Sequence, residues 1–112
     1  MSGRGHDGAK PPSREERFAA IDELRIRIDD LDEQLVRLLN ERAMCAVEIG
    51  HQKRALGLDV YQPGREEQVL AHVHRVCRGP LPGEAVTRVF ERIIDEARRL
   101  ERLGSAEGQT DS

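Results

Sequence analysis

The chain has 112 residues, 35% of them charged and 3% aromatic, with no Trp and a net charge of −3 at pH 7. That length sets one small domain whose core is marginal for a lone chain. The composition excludes a β-sandwich, the acidic balance excludes a nucleic-acid module, and no run approaches the roughly 18 apolar residues of a membrane span.

Residues 1–12 are Gly, Pro and charge and are expected to be disordered; with no hydrophobic signal segment among them, the cytoplasm is the expected compartment. Ser13 followed by Glu16 spells a capping box, which predicts a first helix opening over Arg14 to Arg17. Ile21, Leu24, Ile28, Leu31, Leu35 and Leu38 then recur in alternating steps of three and four, so the helix is predicted to run to about Ala55 and to end at Gly57. At 1.5 Å per residue it would span roughly 65 Å. The residues that remain cannot cover such a helix, so an intertwined homodimer is expected on this ground alone.

Farther along, the same stripe turns cationic. Its next positions are Arg42, Cys45, Ile49 and Gln52, with Lys53 beside the last. Arg42 and Lys53 are 11 residues apart and therefore lie within ~20° of each other around the helix. Two cations on the inner side of a helix require an anionic partner, either a protein carboxylate or an anionic ligand. Gly50, inside this helix, permits close approach of another helix or of a ligand. Arg25 lies ~42 Å along the helix from Lys53, so the two could meet at one small ligand only through a second copy of the helix. Taken alone, Arg25 reads as a solvated ion pair with Asp22 or Asp29.

Gly57 to Gly64 is predicted to be a loop broken by Pro63 and Gly64, followed by a short helix from about Arg65 to Cys77. Its N-terminus, at Arg65 and Glu66, is a natural place for an anion. Arg78 to Gly83 is a tight break. A third helix is predicted from about Glu84 to Leu103, with Val86, Val89, Phe90, Ile93, Ile94, Ala97 and Leu100 inward and residues 104–112 a disordered tail. Glu101 shares that inward face. It is either a carboxylate reaching solvent at a helix end or a carboxyl at the edge of an apolar site, where burial favours its neutral, donating form. Cys45 and Cys77 are expected to be small core residues kept reduced. His72 and His74 point to different sides and make no metal site. With no strand signal, the fold class is all-α: three helices, one very long.

The stretches IDELRIRIDDLDEQLVRLLNERAMCAVEIGHQK, DVYQPGREEQVL and GPLPGEAVTRVFERIIDEARRLE resemble the all-helical (AroQ class) chorismate mutases across about residues 20 to 103. The resemblance implies a homodimer with two shared active sites, and conversion of chorismate to prephenate for Phe and Tyr synthesis without metal or cofactor. By position it implies that Arg25 enters the partner's site to hold a carboxylate, that Arg42 holds a carboxylate within its own subunit, and that Lys53 meets a carboxylate and the ether oxygen. It further implies that Arg65 supports the substrate and that Glu66 accepts from the C4 hydroxyl. Gln62 stands where certain relatives have Asp near that hydroxyl, and Ala97 replaces a small polar residue. Glu101 falls where many relatives carry Gln, across the ether oxygen from Lys53, a departure that should alter pH behaviour. Isochorismate-pyruvate lyase and aminodeoxychorismate mutase would use much the same clamp. A helical dimer that regulates another shikimate-pathway enzyme, without catalysis of its own, is the reading from a different class.

Overall fold

A computed structural model describes residues 10–111, with side chains described for residues 10–103. The expected disorder of residues 1–9 falls outside the described residues, as does Ser112. Three helices follow one another: α1 (Arg14–Ala55), α2 (Pro63–Val76) and α3 (Gly83–Asp111). Among the described residues there is no strand, and no helix is long and apolar enough to cross a membrane. The chain forms two units, Met1–Arg37 and Leu38–Ser112.

In the first unit, the capping box opens α1 as its sequence dictates. The Ser13 N–H donates to Glu16 Oε1 at 2.7 Å and the Glu16 N–H donates to Ser13 Oγ at 3.1 Å, so two otherwise orphaned donors are satisfied reciprocally. The Ser13 N–H, and after it the Ser13 hydroxyl, favour the ionised form of Glu16 and hold its carboxyl below its ordinary value. The apolar stripe is uncovered within the single chain: Leu24 is 60% exposed and Leu35 55%.

The second unit contains the end of α1, all of α2 and α3, and the loops between them. A Schellman motif ends α1: the Leu58 N–H donates to the Lys53 carbonyl at 2.8 Å and the Gly57 N–H to the Arg54 carbonyl at 3.1 Å. This turn needs the left-handed conformation that Gly57 supplies at φ 72°. Pro63 does not break the chain as expected; it is the first residue of α2, where a missing N–H and a fixed φ carry no penalty. The helix ends at Val76, one residue earlier than the pattern suggested, because Cys77 turns extended while its N–H still donates to the Val73 carbonyl.

Helix α3 begins at Gly83 and runs on to Asp111, past the expected end at Leu103. The segment after Leu103 holds no Pro, and its glycines cost only about 1 kcal/mol each relative to Ala, so nothing in it forbids a helix. Helix α2 packs on α3, and the side chain of Val73 is the buried hydrophobic one among the described residues. Val73→Ala is expected to lower stability by about 2 kcal/mol, measured by urea unfolding at fixed protein concentration. An unchanged midpoint would show that α2 contributes nothing to the core.

Neither cysteine is a core residue in this chain. Cys45, on α1, is exposed and Cys77, just after α2, is half-buried, both as free thiols.

Candidate active site

The expected site residues gather mainly in one cleft of about 260 Å³ within the second unit. Helix α1 contributes Arg42, Cys45, Ile49 and Lys53; the following loop contributes Val60, Tyr61 and Gln62. Arg65 and Glu66 come from the first turn of α2, and Ala97, Arg98 and Glu101 from α3. Arg25 is not among the lining residues; it is an exposed residue of α1 in the first unit.

Lys53 is positioned by the same turn that ends its helix. Folding back through Gly57 brings the loop beside the ammonium, which donates to the Val60 carbonyl at 3.3 Å and to Gln62 Oε1 at 3.0 Å. Gln62 thus has a definite task, accepting from Lys53. The guanidinium of Arg42 lies over the Phe90 ring, 6.0 Å from its centroid, a cation–π contact that anchors it without neutralising it. Among the described residues, neither Arg42 nor Lys53 is in an ion pair. Of the two answers the stripe allowed, the carboxylate partner within the chain is therefore absent among the described residues. Arg65 donates to Gln68 at 3.5 Å, a neutral and long contact that leaves its charge uncompensated.

Glu101 lies close over Gly50. A Cβ placed on Gly50 would meet Glu101 Cγ at 3.8 Å and Arg54 Nη1 at 3.5 Å, which is ordinary contact. The glycine is buried but is not demanded sterically within the chain, so the close approach foreseen there is that of a side chain from α3. Burial pushes the Glu101 carboxyl above its ordinary value; the charges of Lys53, Arg54 and Arg98 oppose that shift, and Glu66 adds to it. The reading of Glu101 as a carboxyl at an apolar edge accords with this direction.

Two polar side chains of the lining escaped sequence reasoning. Arg98 donates through Nη2 to Glu66 Oε2, and its guanidinium lies over the Tyr61 ring at 4.7 Å. A signal for Arg98 existed: it stands four residues after Ile94 and three before Glu101, on the inward face of α3. Tyr61 is in a loop, where no periodicity reveals which way a side chain faces. Chemically, the cleft is a set of cations with one carboxylate committed as an acceptor and one carboxyl biased toward its proton. It suits a small, polyanionic ligand bearing a hydroxyl.

Comparison with known proteins points the same way. The family described as chorismate mutase type II matches residues 24–102. The bifunctional chorismate mutase/prephenate dehydratase of Pseudomonas aeruginosa is 42% identical over 83 residues, covering 70% of this chain and 23% of that protein. Its counterpart in Neisseria gonorrhoeae is 43% identical over 86 residues, covering 73% of this chain and again 23% of the relative. The chain thus spans about a quarter of the length of these curated relatives. Among solved structures, the form II structure of chorismate mutase from Thermus thermophilus is similar at a TM-score of 0.72 and 36% identity, covering 74% of this chain and 94% of that one.

Proposed function

Because this chain belongs to the chorismate mutase type II family, we propose that it rearranges chorismate to prephenate in the cleft formed by α1, α2 and α3. The observation that carries this reading is the gathering of Arg42, Lys53 and Arg65 in one cleft, with Arg42 and Lys53 outside any ion pair among the described residues. Chorismate brings two carboxylates to such a site.

The reaction is a unimolecular Claisen rearrangement in which the ether C–O bond breaks as a C–C bond forms. It needs no nucleophile and no electron donor, so the task left to the side chains is to hold the reactive chair and stabilise charge at the ether oxygen. Arg42 and Arg65 hold carboxylates. Lys53, steadied by Val60 and Gln62, donates to a carboxylate and to the ether oxygen. Glu66 accepts from the C4 hydroxyl, and Glu101, when protonated, donates to the ether oxygen from the other side. The chemistry runs in the cytoplasm, and the product leaves for an enzyme of the prephenate-consuming kind named in the bifunctional relatives.

A purified-protein assay tests the reading: chorismate should disappear and prephenate accumulate in equal amount. Turnover of isochorismate with pyruvate release, or of aminodeoxychorismate, in place of chorismate would redirect the assignment within the fold. Inactivity on all three would make the protein a binding or regulatory module.

The remaining cation comes from a second copy. An uncovered apolar stripe along α1 supports an intertwined homodimer, and Arg25 of the second copy would complete each cleft. Sedimentation velocity at micromolar concentration is expected to show a dimer; a stable folded monomer would overturn this. Co-refolding Arg25→Ala with Lys53→Ala protein is expected to restore activity well above either parent, because one of the two clefts in each mixed dimer is then intact. No recovery would leave each cleft confined to one chain.

A further inference from the structure

Two side chains stand where the proposed reading puts the substrate's C4 substituent, and neither presents a net negative charge. Gln62 is neutral, and its Oε1 already accepts from the Lys53 ammonium at 3.0 Å. Glu66 is a carboxylate, but a compensated one: Arg98 of α3 donates through Nη2 to its Oε2. The pair is more sheltered than that of Arg92 and Glu96 on the same helix, with Arg98 33% and Glu66 27% exposed against 72% and 48%. Solvent therefore screens it less, and the two charges offset each other more fully. The Tyr61 ring, 4.7 Å from the guanidinium, holds Arg98 over this corner. The other charged side chains of the lining are Arg42, Lys53, Arg65 and Glu101, so cations outnumber carboxylates in the cleft.

We infer that Arg98 determines specificity at C4: it offsets the charge of Glu66 while leaving an acceptor oxygen free, so the cleft takes a hydroxyl there and rejects an ammonium. The inference rests on the proposed reading, in which Glu66 faces that substituent. Arg98 acts through Glu66 and touches no reacting atom. A hydroxyl needs one acceptor, and Oε1 of Glu66 supplies it. An ammonium needs in addition a net negative charge to offset its lost hydration, and Arg98 has already taken that charge up. Chorismate carries a hydroxyl at C4, whereas aminodeoxychorismate carries an amino group there, cationic at neutral pH. The two share the ring, the enolpyruvyl arm and both carboxylates, so the carboxylate clamp treats them alike and only the C4 contact tells them apart.

The test is a competition at neutral pH, with both compounds supplied together to the full chain. Their relative rates of loss give the ratio of the two kcat/KM values directly. The parent is expected to favour chorismate by about tenfold or more. Arg98→Leu leaves Glu66 uncompensated and is expected to move the ratio toward the amino compound by about tenfold. Arg98→Gln keeps a donor for Glu66 without the charge and should move it the same way. Arg98→Lys keeps the charge and should hold the parent's ratio.

A parent that consumes both compounds equally well would overturn the inference, as would a ratio unmoved in Arg98→Leu and Arg98→Gln. A residue that merely packs the cleft would lower both rates together and leave the ratio where it was. A shift in Arg98→Lys as large as that in Arg98→Leu would remove charge as the cause and sink the inference too. Should Arg98→Leu fail to fold by circular dichroism, Arg98→Gln decides alone. Where neither compound is rearranged, the ratio of their dissociation constants by calorimetry takes the place of the rates, and the expected shift there keeps the specificity and discards the proposed reaction. Chorismate rearranged at an unmoved ratio keeps the reaction and discards the role of Arg98. Binding of neither compound overturns both.

Discussion

Lys53→Ala is expected to lower kcat by about two to three orders of magnitude, the usual loss when one preorganised donor to a developing oxyanion is removed. The reasoning is differential. In the proposed reaction the ether oxygen is a weak acceptor in the ground state and takes on charge in the transition state, so the ammonium would gain most as the C–O bond breaks. Its position costs little at the moment of reaction, because the Val60 carbonyl and Gln62 hold it at 3.3 and 3.0 Å beforehand. Alanine removes the charge and leaves those acceptors without a donor, yet the helix itself should persist, since alanine is the best helix former. Arg42→Ala should differ in kind. In the proposed reaction Arg42 meets a carboxylate already charged in the ground state, so both KM and kcat are expected to suffer. Steady-state kinetics on the two variants checks the contrast. A near-normal kcat in Lys53→Ala would remove Lys53 from the reacting atoms.

The second large effect concerns pH. Glu101 can donate only while protonated, and burial raises its carboxyl above the ordinary range against the pull of Lys53, Arg54 and Arg98. Activity carried by the protonated form is complete below that raised value and is lost as pH climbs through it, approaching about tenfold per pH unit beyond it. The free-enzyme profile of kcat/KM should therefore fall on the alkaline side. Glu101→Gln supplies a permanent donor of nearly the same shape and is expected to flatten the fall. Stability should follow the same sign: the folded form binds the proton more tightly than the unfolded one, so this contribution is full below the unfolded value near 4.3 and fades as pH rises through the folded one. Profiles for parent and variant between about pH 5 and 9 check it, and superimposable curves would return Glu101 to the status of a solvated surface carboxylate.

How much of this was legible beforehand depends on whether the signal is local. The limits of α1 were readable because a capping box and a glycine terminate it, and both act within a few residues. The pairing of Arg42 with Lys53 was readable because helical geometry alone brings the two positions onto one side. The extent of α3 was not, since Gly104 weakens a helix without ending one, and an apolar pattern stops where burial stops rather than where hydrogen bonding does. Arg98 was passed over because an arginine among arginines on a charged helix resembles a solvent-facing residue; only its neighbours Ile94 and Glu101 mark it otherwise. The partners of Lys53 lie in an irregular loop, whose path follows from a turn and not from any period. Arg25 belongs to a different class of difficulty, because the role proposed for it depends on a second molecule that no single chain displays.

The turn at Gly57 bears on how substitutions at this protein's surface should be weighed. Nothing lies within 4 Å of a Cβ built there, so by space alone any side chain would be accommodated. Its φ of 72° nevertheless lies where an L-residue pays roughly 1–2 kcal/mol, and relaxing that torsion would unmake the hydrogen bond from Leu58 to the Lys53 carbonyl. The loop that carries Val60 and Gln62 would then lose its starting direction, and with it the ammonium its two acceptors. Tolerance at an empty, solvent-facing position is thus governed by backbone torsion, and through it by the electrostatics of a cleft that the position never touches.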